Sequence, residues 1–350
     1  MGISEKSSLP KKDRVLSFDV IRVLALFLVI FFHVDVRTYT IGGDLLPVVI
    51  NVGDLGVSIF IILSGLSLSI HSFKNKTLYQ FYLRRLGSIL PFLWFGYLTT
   101  SVLLFCFGNL QPHAFGIPII LTIIGLDGYF CAHMPTYYLV GEWFTGFILL
   151  MYLVSPFIYK IIQSKPVVSL IIFGVVSLLS FQYIGYLAKY CPLLNPAIPC
   201  NVTSRIFEFA FGMFFYLYLF QSKKKLLLSF LLAIIVFATV LFFDVAISTA
   251  SFVNIIACVC ATCILVTLFC FIPQTEALSE LFGFFSKYSY LAFIYHHQII
   301  FLILENIGSV YSPSIYRTFF IALATLFISY VLAYLSYKPS IMIRKLVFKF

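Results

Sequence analysis

Charge is what this sequence has least of. Only 10% of its 350 residues are charged, while 61% are hydrophobic; soluble domains carry about 25% charged residues. That scarcity excludes an ordinary water-soluble fold. It predicts an all-α polytopic membrane bundle, because a lipid interior leaves backbone groups only their own helix as partner. Mean hydropathy, at +1.05, agrees. Internal repeats and low-complexity tracts are not detectable, and no soluble domain is expected at either end. No small-residue cleavage site follows the first apolar run, so the basic leader "EKSSLPKKDR" is expected to precede a retained span. The eight cysteines show no convincing metal-ligand spacing, and no metal is expected. Four of them (Cys258, Cys260, Cys263 and Cys270) lie in one apolar run and read as small apolar residues. Cys191 and Cys200 share a polar loop and could be bridged if that loop faces an oxidising compartment.

A net charge of +10 would suit nucleic acid if it were concentrated. It is instead scattered in short clusters between apolar runs, which read as topology determinants, so no nucleic-acid partner is expected. Runs of about 20 apolar residues mark spans. Ten are expected, at 15–36, 53–72, 89–108, 137–159, 167–187, 205–221, 226–245, 249–272, 288–306 and 315–337. The stretch 115–126 is apolar but short and suits a re-entrant or interfacial position. The stretch 74–88 mixes aromatics with Arg and suits an interfacial amphipathic helix. Residues 1–14 form a leader, 15–337 the membrane domain and 338–350 a basic tail. Lys and Arg fall mostly in alternate loops, which puts both termini in the cytoplasm. The Lys, Ile and Phe-rich composition hints at a bacterial source, and a plasma membrane is the expected location.

What charge remains is placed with economy. The first expected span contains "FDVIRVLALFLVIFFHVDV", with Asp19, Arg22 and His33 inside it. Ionisable residues cost several kcal/mol in a span and are usually functional or paired. Arg22 and His33 are eleven positions apart, three turns and about 20°, so they share a helix face with about 16 Å between their Cα atoms. Asp19, three residues before Arg22, can pair with it. Two readings are open at this point: contacts that fix helix packing, or chemistry at two depths of one bundle.

The Arg, ten residues, His pattern resembles the signature of the acyltransferase-3 family of integral membrane acyltransferases. Further pieces follow in order. "GVSIFIILSGLSLSI" resembles the family's second-span segment, with Ser64 and Gly65 at its Ser-Gly. "FYLRRLGSILPFLWFGY" resembles its basic stretch running into a Leu-Pro span, and "TYYLVGEWFTGFILLMYLVSPFI" its Glu-bearing aromatic helix, with Glu142. "SRIFEFAFGMFFY" and "KYSYLAFIYHHQII" are similar to later helices of the family, the second placing His296 at its His position. The likeness covers about residues 15–335. The sequence departs from the family at Ser88, where a second Arg often follows, at Tyr137, where Trp is usual, and at His297 and Gln298, where Pro often follows the His.

The resemblance implies transfer of an acyl group, most often acetyl from acetyl-CoA as co-substrate, onto a sugar hydroxyl of a cell-surface polysaccharide or its lipid-linked precursor. The expected partners are the bilayer, acyl-CoA, the carbohydrate acceptor and polysaccharide synthesis machinery. His33 is the expected base. Arg22 is expected to bind CoA phosphate or the thioester carbonyl, or to pair with Asp19. Arg84 and Arg85 could hold CoA phosphates or anchor the surface. Glu142 could orient His33 or pair with Arg205. Ser64 could line the substrate path or permit close helix contact, and Tyr295 with His296 could form a second polar cluster. Two other classes compete: a transporter or flippase of glycan precursors, and a non-catalytic membrane partner with the same fold. Inverted repeats and matched broken helices, which transporters often show, are not detectable.

Overall fold

The computed structural model describes residues 15–39, 52–71, 77–108, 118–131, 134, 136, 137, 139, 140, 142–191, 194, 197, 200–242, 251–307 and 314–349. Among these, every regular element is a helix. In chain order they are α1 (Leu16–Tyr39), α2 (Val52–His71), α3 (Leu78–Gly87), α4 (Leu90–Cys106), α5 (Ile119–Ile124), α6 (Asp127–Phe130) and α7 (Glu142–Ser164). Then come α8 (Pro166–Leu187), α9 (Val202–Phe214), α10 (Lys223–Phe242), α11 (Phe252–Cys270), α12 (Glu276–Ile307) and α13 (Ile315–Phe348).

Eight segments of the described chain are long and apolar enough to cross a membrane. α8 and α10 turn Ile171, Leu179, Leu228, Leu231 and Ile235 outward. Water would not tolerate so much exposed apolar surface, whereas lipid requires it. This is a multi-pass helical membrane protein. Two expected spans fall outside the eight. The segment 288–306 belongs to α12, which is long enough at 32 residues but carries Tyr, His and Gln that lower its apolarity. The segment 205–221 splits into α9, of 13 residues, and a π-helical turn over Phe215–Leu219. The two run on without a break in the helical backbone, and the buried Arg205 and Glu208 lower the apolarity of the segment. The stretch 115–126 yields the short α5, whose Ile119, Ile120, Ile123 and Ile124 are exposed. Within 74–88, α3 begins on a capping box between Thr77 and Gln80 and breaks from α4 at Ser88. Cys191 and Cys200 stand as thiols, with no disulfide between them.

α1 lies at the centre, packed on α2, α11, α12 and α13, while α2 joins it to α9. α1 and α2 run antiparallel: Gly53 sits against Phe32, and Gly56 against Ala25 and Val29. α2 and α9 meet backbone to backbone. A Cβ on Gly65 would overlap the Phe209 carbonyl, and one on Gly212 would overlap the Ile62 carbonyl. With no hydrophobic drive between helices in lipid, such close approach supplies the packing energy. Gly212→Ala is expected to separate α2 from α9 at a cost of about 1–3 kcal/mol, the usual penalty for overpacking. A melting curve of the purified variant in detergent checks this. An unchanged midpoint would show that the two backbones do not meet as described.

Candidate functional site

A cavity of about 260 Å³ opens among α1, α2, α3, α7 and α12. Arg22 enters it from α1 and Arg85 from α3. Hydroxyl groups surround the two guanidinium groups: Ser64 and Ser67 on α2, Ser88 after α3, and Ser286, Ser289 and Tyr290 on α12. Tyr152 of α7 completes the polar part, with the Arg85 guanidinium 5.9 Å from its ring centroid. Arg22 Nη1 donates to Ser286 Oγ at 3.0 Å, and the Asp19 carboxylate stands 4.0 Å away. The Nε of Arg85 is buried with no hydrogen-bond partner among the described residues. A buried cation group lacking its acceptor suits an anionic ligand. Ser64 donates to the Phe60 carbonyl at 2.7 Å and lines the cavity, while its neighbour Gly65 makes the close helix contact. The Ser-Gly pair thus divides its work, Ser64 on the cavity wall and Gly65 at the helix contact.

The other end of the α1/α12 contact carries histidines. His33 of α1 meets His296 and His297 of α12, with ring centroids 5.2 and 4.3 Å away. One ring nitrogen from each lies within 4.8 Å of the others. Backbone partners fix the tautomers. His33 Nδ1 contacts the Val29 carbonyl at 2.8 Å, and His296 Nδ1 contacts the Phe293 carbonyl. A carbonyl only accepts, so both Nδ1 atoms carry the proton and both Nε2 atoms present a lone pair. His297 is the reverse. Its Nδ1 faces Arg37 Nη2 at 3.3 Å, and a guanidinium only donates, so in neutral His297 the proton sits on Nε2. The trio offers two bases and one donor. Three imidazoles can also hold a metal ion, which the sequence spacing did not suggest. The Arg37 cation and the proton on His297 Nε2 favour proton handling over metal ligation.

The remaining predicted residues separate. Arg84, one position from Arg85 and so about 100° round the helix, is exposed and absent from the cavity wall. Tyr295 and His296 do not form one cluster, because adjacent helix positions diverge. Tyr295 faces α4 and α13, hydrogen-bonded to Thr99 at 2.7 Å and Ser336 at 2.6 Å. Arg205 is away from the cavity, fully buried between Asp54 at 3.6 Å and Glu208 at 3.5 Å. Asn254 of α11 donates to Asp54 at 3.0 Å. Arg205 therefore locks α2, α9 and α11 together and does not line the cavity. Glu142 opens α7, and its side chain lies outside the described residues.

Several site residues escaped the sequence reading. Ser286, Ser289, Tyr290 and Phe293 are among them; with His296, which the resemblance named, and His297 they repeat at intervals of three and four and share one face of α12, with Tyr295 nearly opposite. That spacing was the available signal. His297 and Gln298, departures from the family pattern, both act here: Gln298 Nε2 holds the Leu139 carbonyl at 2.8 Å. Nearby, Asp127 of α6 accepts from Tyr97, Thr122 and the Gly128 amide. Burial pushes its carboxyl above the usual range despite those bonds.

Removing one partner of a buried ion cluster leaves uncompensated charge and costs about 3–5 kcal/mol. Arg205→Ala is accordingly expected to abolish the folded state. Arg205→Ala combined with Asp54→Asn and Glu208→Gln should recover part of it. Fluorescence-detected size exclusion checks both, and a monodisperse single variant as stable as the parent would count against the lock.

A family model described as an acyltransferase domain matches residues 15–334. No curated protein and no solved structure matches the chain.

Proposed function

The chain belongs to the acyltransferase-3 family, nearly its whole length lying within the family match, and from that premise we propose that it transfers an acyl group, acetyl in the first instance, from acyl-CoA to a sugar hydroxyl of a cell-surface polysaccharide or its lipid-linked precursor. The observation that carries the reading is the alignment of two chemistries along one helix pair. Arg22 and Arg85 share a hydroxyl-lined cavity, and His33 meets His296 and His297 further along the same α1/α12 contact.

On this reading both termini and the Arg85 end of the cavity face the cytoplasm, where CoA is made. The guanidinium groups take the CoA phosphates. The flexible pantetheine arm then runs along the cavity toward the histidines. The sugar oxygen attacks the thioester carbonyl carbon while His33 Nε2 removes its proton. The Nε2–H of His297 is available to the developing oxyanion. The C–S bond breaks, and CoA leaves as a thiolate that takes the proton back from His33. Ester, free CoA and neutral imidazole result, so atoms and charge balance. His296, with its lone pair beside His33, can share the proton during the cycle.

Labelled acetyl-CoA, the purified protein and glycan from cells lacking the gene give the direct assay. His33→Ala is expected to lower turnover about 10²- to 10⁴-fold, the usual contribution of a general base, with acetyl-CoA affinity kept. Arg85→Ala should instead raise KM for acetyl-CoA about 10-fold or more, in line with a lost charge-assisted contact of 1.5–3 kcal/mol. Full turnover in His33→Ala would refute the base assignment. Loss of one glycan resonance by NMR in cells without the gene would name the acyl group and its position.

A further inference from the structure

Aromatic rings converge on the cavity wall at its histidine-facing side. Three helices reach from the arginines toward the histidines along the cavity wall: α2, α7 and α12. α1 and α12 carry the arginine-to-histidine direction, and α2 runs antiparallel to α1. On α2 the lining residue nearest the histidine end is Phe60, beyond Ser64 and Ser67. On α12 it is Phe293, beyond Ser286, Ser289 and Tyr290. On α7 it is Phe144, beyond Tyr152 and Ile148. The three rings touch one another, with centroids 6.0 Å apart for Phe60–Phe144, 6.0 Å for Phe60–Phe293 and 5.5 Å for Phe144–Phe293. The Phe293 ring is also 5.2 Å from that of His296. One side of this collar is the cationic cavity, and the other is the histidine trio.

We propose that Phe60, Phe144 and Phe293 form a sizing collar that sets which acyl groups the donor can deliver, passing acetyl and rejecting longer chains. The proposal rests on the acyltransferase reading above. Rings at these separations leave no open bore, so an acyl group passes only as the rings turn about their χ1 bonds. The acyl tail leads the thioester through the rings, so each further carbon must be seated among packed side chains beyond the collar before the carbonyl reaches His33, in a medium as dense as an organic crystal. An acetyl group adds one methyl beyond the carbonyl, whereas a hexanoyl chain adds four more methylenes. Phe293 is the pivotal ring, since it touches both of the others and His296. A polar or charged acyl group would meet three apolar faces, so succinyl is disfavoured along with length.

The test is competition among acetyl-, butyryl-, hexanoyl- and succinyl-CoA, read as kcat/KM for each donor. Wild-type protein is compared with Phe293→Ala and with the milder Phe293→Leu, both first confirmed monodisperse. Wild type is expected to favour acetyl over hexanoyl. Phe293→Ala is expected to raise the hexanoyl-to-acetyl ratio at least about tenfold, with Phe293→Leu intermediate. An unchanged ratio in folded variants, beside normal wild-type transfer, overturns the collar alone. Equal loss with every donor in both folded variants also overturns it, because the ring would then serve the reaction and not its selectivity. No transfer by wild type from any donor overturns the acyltransferase reading, and the collar with it.

Discussion

The packing of α1 on α12 is the contact on which the site depends. Each helix carries polar residues that lipid would reject, and each satisfies them on the other. Arg22 reaches Ser286 at one end of the contact, and His33 meets His296 and His297 about three turns away. A slip of one helix past the other by a residue would turn these groups outward, at several kcal/mol apiece. The register is therefore fixed by the same side chains to which the proposed chemistry is assigned. α1 can hold this position because it is enclosed by α2, α11, α12 and α13.

Around that axis, different devices suit different depths. Between α2 and α9, glycine lets two backbones approach without side chains. Beside it, Arg205 draws Asp54, Glu208 and Asn254 into one buried ionic cluster that spans three helices. Neither device touches the cavity. Both hold α2 where Phe60 and Ser64 must stand. The rigid side of the bundle thus serves the reactive side through α2, while α10 faces outward and contributes little to either.

Much of this was legible in the sequence, because helical geometry is local. The eleven-residue interval from Arg22 to His33 fixes a shared face, and the structure gives that face one partner helix. The helical membrane class follows from the scarcity of charge alone. Other features were hidden for a physical reason. His33 and His297 are far apart in the chain, so no spacing rule could unite them. Tyr295 and His296 look like a pair in one dimension and diverge by about 100° in three. Arg205 was matched with Glu142 because Asp54, which flanks it on one side, is far away in the chain; Glu208, three residues on, was the partner the spacing could have shown. Phe60, Phe144 and Phe293 were lost among 41 phenylalanines, where composition gives no reason to single out three.

The central claim is that donor and acceptor chemistry meet inside one bundle, approached from its two ends. Sealed proteoliposomes of uniform orientation test it most directly. Labelled acetyl-CoA is supplied only on the face bearing Arg85, and the acceptor glycan only on the opposite face. The account predicts labelled glycan on the far side, with free CoA released on the near side. Label appearing only when donor and acceptor share one face would contradict it.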